Sequence, residues 1–239
     1  DWNGDYEFVR PFLEPICQSI ARGAPYPPSP VITSLTWAPA ATVVRQATGS
    51  DNWPITWADD GDLYTAYGDG WGFEPKLKSK LSMGFAKVVG GPDDFVGINI
   101  RSPDEQYGDG AKGRKGSGLL MLDGVLYMWV RNVIGSQGSE LWWSSDHAQT
   151  WTKADWMWTE FGYPTFLNYG QNYAGAPDDY VYTVTHDHPD AYLPADTFVL
   201  MRVPKDRIRE KDAYEFFRHL DPNDLPIWTA DIRLRGSIF

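Results

Sequence analysis

An Asp-led turn followed by Leu-Tyr or Val-Tyr occurs three times in this chain, as Asp60-Gly61-Asp62-Leu63-Tyr64, Asp123-Gly124-Val125-Leu126-Tyr127 and Asp178-Asp179-Tyr180-Val181-Tyr182. The repeated tyrosines are 63 and 55 residues apart, too long a period for a helical solenoid unit and suited to a small sheet of several strands. Sheets repeated around an axis make a β-propeller, so the expected fold is all-β. Hairpins are predicted over Pro54–Tyr67, over Gly118–Leu122 with Leu126–Val130, and over Asn168–Ala174 with Tyr180–Thr185. Further strands are predicted at Thr42–Gln46, Lys80–Val89, Glu140–Ser144, Thr150–Lys153 and Thr197–Val203, and the charged run Lys205–Phe217 is predicted to be helical in part.

The organisation expected from this pattern has two parts. Residues 1–32 carry Pro11, Pro15, Pro25, Pro27, Pro28 and Pro30; they read as a strap with one short helix at Phe12–Arg22 and an extended remainder. Residues 33–239 read as the propeller domain, with about three blades, the start of a further blade at Ile227–Asp231, and a last unpartnered strand at Arg233–Phe239. Because a propeller closes with four blades or more, the expectation is a ring cut short in this chain or completed by a second chain.

Composition excludes several functions. A net charge of −11 opposes nucleic acid as the main partner. Cys17 is the single cysteine, so there is no internal disulfide framework and no thiolate metal cluster. No apolar run reaches the length of a membrane span, and no membrane insertion is expected. The 12 Trp, 13 Tyr and 11 Phe are expected mostly to pack between sheets, with a minority free to stack on sugars.

Antiparallel pairing places the end of each second strand beside the start of each first strand, opposite the Asp-led turns. Aligning the repeated tyrosines makes Asp69, Asn132 and Asp187 equivalent, preceded by Gly68, Arg131 and His186. Counting ten residues back from each turn reaches Asp51, Arg114 and Tyr169, followed by Asn52, Lys115 and Gly170. One end of the fold is therefore expected to collect Asp51, Asp69 and Asp187 as catalytic carboxylates. Asn52, Trp53, Trp71, Lys115, Arg131, Asn132, Tyr169 and His186 would bind substrate. Paired carboxylates with cations and amides are what glycoside hydrolysis needs. His186 and His188 would share a strand face and could ligate a metal with Asp187, but no second histidine cluster supports them, and hydrogen bonding to substrate is expected instead. No cofactor is expected, with calcium held by oxygen ligands left open. The Gly108–Gly116 stretch lacks the Gly-Lys-Ser/Thr ending of a phosphate loop and reads as a mobile loop on the rim.

Two resemblances follow from these residues. Ser144-Ser145-Asp146-His147-Ala148-Gln149-Thr150-Trp151 resembles the Asp-box hairpin of sialidases and other propeller hydrolases, with Ala148 where Gly is usual; it marks a fold rather than an activity. A sialidase is not expected, since no three-arginine clamp can be assembled. Ser50–Gly61, Leu63–Gly70, and Lys115–Leu120 with Tyr127–Asn132 resemble a bacterial propeller family of formerly unknown function that includes endo-acting arabinanases. The resemblance covers about Thr42 to Asp231. It implies a propeller of five blades or a similar number, a secreted or cell-envelope location, and a polysaccharide or oligosaccharide substrate, with Asp51 the first position carried over as catalytic. The resulting expectation is a secreted glycoside hydrolase. The alternatives are a polysaccharide lyase with His186 or Tyr169 as base and Arg131 or Lys115 to neutralise a uronate, and a non-catalytic glycan-binding or interaction propeller.

Overall fold

The computed structural model describes residues 29–32 and 34–238; Cys17, the Phe12–Arg22 helix and most of the Pro-rich strap lie outside them. The chain divides into two compact units, residues 1–43 and 44–239. In the first, Ala40–Thr42 forms a single 3-10 turn closed by the Val43 N–H on the Ala40 carbonyl. Residues 43–46 pair with no strand, so the strand expected at Thr42–Gln46 is not formed.

The described part of the second unit contains no α-helix and builds three antiparallel sheets. The first sheet orders β1 (Ile55–Trp57), β2 (Leu63–Tyr67), β3 (Gly84–Val89) and β4 (Val96–Ile100). The second orders β5 (Lys115–Leu122), β6 (Val125–Ile134), β7 (Gln137–Ser144) and β8 (Thr152–Trp158). The third runs through β9 (Thr165–Phe166), β10 (Tyr180–His186), β11 (Phe198–Pro204), β12 (Glu215–Leu220) and β13 (Pro226–Thr229), each paired with the next. Among these named strands ladder pairing stays within a sheet, so no strand ladder joins one sheet to another.

The repeated Asp and Tyr have a local physical cause. Asp60 accepts the Asp62 N–H at 3.1 Å with one oxygen and the Tyr64 hydroxyl at 2.8 Å with the other. Asp178 does the same with the Tyr180 N–H at 2.9 Å and the Tyr182 hydroxyl at 2.6 Å. One carboxylate thus fixes the turn and anchors the strand that leaves it. At the middle copy both Asp123 (φ 49°) and Gly124 (φ 74°) are left-handed, as a two-residue hairpin loop requires.

Further expectations are corrected. The first strand of the third sheet is Thr165–Phe166, not Asn168–Ala174: after β9 the chain makes a 3-10 turn at Gln171–Tyr173 before β10 begins. Ile227–Asp231 does not start a further blade, because β13 pairs with β12 as the outer strand of the third sheet. Of the strand expected at Arg233–Phe239, the described residues 233–238 form none: a 3-10 turn spans Ile232–Leu234, and Gly236 and Ile238 donate to the Phe217 and Phe198 carbonyls. The charged run before β12 is helical only as the 3-10 turns Lys205–Arg207 and Lys211–Ala213, and β4 was not anticipated.

The second sheet is apolar on both faces, and β6 shows how alternation divides its residues. Leu126, Met128 and Val130 pack with Tyr64, Phe85, Met121, Trp142 and Trp151 toward the first sheet. Tyr127 and Trp129 pack with Trp158, Phe166, Val181, Met201, Tyr214 and Phe216 toward the third. Trp151 packs against Phe85 with the rings tilted and their centres 5.1 Å apart. The loop before it is pinned by Asp146, which accepts from the Ser144 hydroxyl and from the Thr150 N–H and hydroxyl.

β5 is an edge strand, and its open side is covered by side chains from both neighbouring sheets. Asn52 donates to the Gly116 carbonyl at 2.7 Å, Thr56 accepts the Met121 N–H at 3.0 Å, and Asn168 donates to the Leu119 carbonyl at 3.0 Å. Ser117 donates to the Pro164 carbonyl at 2.6 Å. Satisfying an edge in this way removes the cost of burying unpaired backbone groups. Gly118 is required here, since a Cβ on it would come within 2.7 Å of the Thr165 Cα. No described helix is long and apolar enough to cross a membrane.

Candidate functional site

At the end of the sheets opposite the Asp-led turns, polar residues from all three sheets meet. From the first sheet, the Asp51 backbone pairs reciprocally with Gly68, N–H to carbonyl at 2.9 and 2.7 Å. Gly68 is needed for this, because a Cβ there would lie 2.9 Å from the Asp51 carboxylate. Asp51 is exposed, and Asp69, the next residue after Gly68, is partly buried. From the second sheet, Lys115 and Arg131 face each other across the β5–β6 ladder and are only 3% and 6% exposed. From the third, Tyr163 leads into β9, His186 ends β10, and Tyr192 stands on the loop between β10 and β11.

The contacts join these groups. Lys115 Nζ lies 2.6 Å from Asp69 Oδ1, a charge contact whose angle is not that of a hydrogen bond. Asn52 bridges two sheets, donating to Gly116 and accepting the Tyr163 hydroxyl at 2.8 Å. The Arg131 guanidinium lies 4.6 Å from the Tyr163 ring centre and 5.1 Å from that of Tyr192, while the Asn132 amide donates to the Gly113 carbonyl at 2.8 Å and the Tyr192 hydroxyl at 3.0 Å. Outside this group, Lys80 holds Asp109 at 2.6 Å. The Asp109 carboxylate raises the Lys80 ammonium above its usual range, with Asp69 and Asp51 adding to the effect. Burial lowers His186 below the ordinary imidazole range, and repulsion from His188 and Arg131 adds to this.

Asn52, Asp69 and Asn132 all have left-handed backbone, at φ 57°, 40° and 64°. Asn and Asp tolerate this conformation better than most residues, and such positions concentrate at functional sites. Asn132 falls where the β6–β7 register shifts, a bulge that re-aims a side chain.

The structure thus brings together Asp51, Asn52, Asp69, Lys115, Arg131, Asn132 and His186. It does not bring Tyr169, which packs against Tyr173 at 5.4 Å, and Tyr173 bonds the Tyr180 carbonyl at the turn end of β10. The count of ten residues fails because the connection from β9 to β10 is a long loop rather than a two-residue turn. Tyr163 takes the place assigned to Tyr169. The signal available was an aromatic-Pro pair, Tyr163-Pro164, matching Trp53-Pro54 before β1. Tyr192 carried no such signal, since it lies on an irregular loop.

The remaining expected residues are engaged elsewhere or stand apart. Asp187 Oδ1 accepts from Arg235 Nε at 2.9 Å and Nη2 at 2.7 Å, which ties its carboxylate to the segment that follows β13. Trp53 packs on Tyr67 and Phe73, 5.5 Å from each, and borders an apolar cavity of about 450 Å³ with Ile55, Leu63, Val88 and Phe95. Trp71 stays 37% exposed beside Gly70, free to receive a ring. His186 Nε2 lies 3.1 Å from the Asp190 carbonyl, and His188 Nδ1 accepts the Asp190 N–H at 2.9 Å, so both histidines brace the loop that carries Tyr192. The one described grouping with metal-ligand spacing, Asp59, Asp60 and His147, lies at the opposite, turn end, where His147 Nε2 is 2.9 Å from Asp59.

No protein-family model and no curated protein matches the chain. Among solved structures, the chain is similar to a "putative hydrolase" from Bacteroides ovatus ATCC 8483, with 14% identity and a TM-score of 0.47 over 80% of this chain. The match spans 57% of the length of that protein.

Proposed function

We propose that this protein is a secreted glycan-active hydrolase on a β-propeller framework, cleaving a polysaccharide with Asp51 and Asp69 as its carboxylate pair. The observation that carries the reading is the cluster formed by Asp51 and by Asp69 against buried Lys115, with amide, tyrosine and guanidinium groups from three sheets at one end of the fold. Asp51, open to solvent, is placed to meet substrate and is the carboxyl assigned to the acid. Asp69, charge-paired with Lys115, suits the nucleophile or the base that works as a carboxylate. Asn52 and His186 offer hydrogen bonds to sugar hydroxyls, and Trp71 offers a stacking face.

Three separate meander sheets, packed through apolar faces and converging on the edge of β5, support the propeller part of the reading. The hydrogen bonding of Asp146 between β7 and β8 supports the Asp-box resemblance. The test is incubation of the protein with plant, algal and bacterial polysaccharides, reading new reducing ends and ultraviolet absorbance together. Reducing ends without absorbance, lost by about 10²-fold or more in Asp51→Asn while polymer binding persists, are expected. Absorbance from unsaturated uronates would replace the hydrolase by a lyase. Binding without any cleavage would leave a glycan-binding propeller.

A further inference from the structure

The burial of Arg131 carries a cost that its contacts within the protein do not offset. It is 6% exposed, its Nε has no hydrogen-bond partner, and its one side-chain bond is a long one of 3.4 Å to Asn132. Among the described residues no carboxylate lies within salt-bridge distance of it, and its ladder partner is a second buried cation, Lys115. Like charges opposite each other in a sheet repel, and a buried unpaired charge costs several kcal/mol. The faces of Tyr163 and Tyr192 recover part of this as cation–π contact. A residue present only for packing would serve better there without charge.

We propose that Arg131, flanked by Tyr163 and Tyr192 and backed by Lys115, is a subsite for the carboxylate or sulfate of an acidic sugar unit in the substrate glycan. The guanidinium fork matches two oxygens of such a group, and the tyrosine rings match the sugar that carries it. Tyr192, 47% exposed, forms the outer wall. Its loop is fastened to the second sheet by the Ser136 hydroxyl on Asp190 and the Ala191 N–H on the Ser136 carbonyl at 3.0 Å. A net charge of −11 disfavours a uniform polyanion, so the substrate class is a glycan with scattered acidic units. The inference rests on the glycan reading for its polymer, and on Arg131 alone for its anion.

The test compares polymers that differ only in the anion: glucuronoxylan against its carboxyl-reduced form, and a sparsely sulfated galactan against its desulfated form, with free glucuronate and inorganic sulfate as small probes. One acidic member is expected to bind at least about tenfold more tightly than its neutral match, the factor a charge-assisted hydrogen bond carries, and the pair that responds identifies carboxylate or sulfate. Arg131→Met should abolish that preference. Arg131→Lys, which keeps the charge and loses the fork, decides the matter if the methionine variant does not fold, and should lose most of the preference. Equal binding of acidic and neutral members, or full preference in Arg131→Lys, overturns the subsite and leaves the glycan reading intact. Arg131-dependent binding of the small anions with no polymer bound supports the anion site and overturns the glycan reading. No binding of any probe overturns both.

Discussion

Replacing Thr56 by Val tests how the three sheets are held together. Thr56 is 3% exposed; its hydroxyl donates to the Asn168 Oδ1 at 2.7 Å and accepts the Met121 N–H at 3.0 Å. One hydroxyl from β1 thereby joins the open edge of β5 to the segment that follows β9. Valine keeps the shape and the strand preference and removes both bonds. Losing the bond to Asn168 costs about 1 kcal/mol, and the Met121 N–H left buried without an acceptor costs roughly 1–3 kcal/mol more. The sum, about 2–4 kcal/mol, corresponds to a fall in melting temperature of roughly 4–16 °C for a chain of this size. Urea unfolding followed by tryptophan fluorescence should show a lower midpoint with an unchanged slope. Thr56→Ser, which keeps the hydroxyl, should cost only about 1 kcal/mol. In a double variant with Asn168→Leu the losses should be less than additive by about 0.5 kcal/mol or more, because the pair shares a bond. A loss below about 0.5 kcal/mol in Thr56→Val, or strict additivity, would refute the claim that this hydroxyl closes the edge of β5.

The other predictions concern charge and backbone. Lys115→Met leaves the Asp69 carboxylate without its cation and should destabilise the fold by about 2–4 kcal/mol, below the range for a fully enclosed pair because the Asp69 side chain is 20% exposed. Adding Asp69→Asn should restore part of that loss, and a double variant no more stable than Lys115→Met would contradict the pairing. Tyr64 and Tyr182 are both pushed up to about 12 by burial, with their hydrogen bonds to Asp60 and Asp178 adding to it. The folded state holds these protons more tightly than the unfolded chain does, so their contribution is complete below pH 10 and is lost as pH rises through about 12. Absorbance at 295 nm should find both still protonated at pH 11, and ionisation near pH 10 would contradict the burial argument. Asn52→Gly relieves a left-handed backbone but removes the bonds to Gly116 and Tyr163; a net loss of about 1 kcal/mol is expected, and a gain would mean that Asn52 serves the turn alone.

The three Asp-led turns, the hairpins of the first two sheets and strand β10 were legible because each rests on short-range chemistry. Asp60 with Tyr64 and Asp178 with Tyr182 are four residues apart, and the Asp123-Gly124 turn is encoded by two adjacent residues that accept left-handed backbone. What could not be read was where long connections run. Between β9 and β10 the loop is stabilised by Tyr173, whose hydroxyl bonds the Tyr180 carbonyl and accepts the Tyr182 N–H, a contact with no periodic signature. The strand at Ile227 looked like a beginning because its pattern is that of any strand. Only its pairing with β12 shows it to be an outer edge.

The candidate site divides along the same line. Asp51, Asp69, Lys115, Arg131 and His186 were found because they occupy equivalent ends of repeated strands, and a repeat carries position faithfully wherever strand and turn lengths match. Tyr163, Tyr192 and the bracing of the loop by Asp190 were not found, because they depend on how a loop of the third sheet folds over the second. Position in a repeat also says nothing about what a side chain is tied to. Asp187 matches Asp69 by alignment, yet Arg235, 48 residues further on, takes its carboxylate, whereas Asp69 meets a lysine from the neighbouring sheet. The chemical difference between two equivalent aspartates is therefore set by their partners across the fold, Arg235 for Asp187 and Lys115 of the second sheet for Asp69.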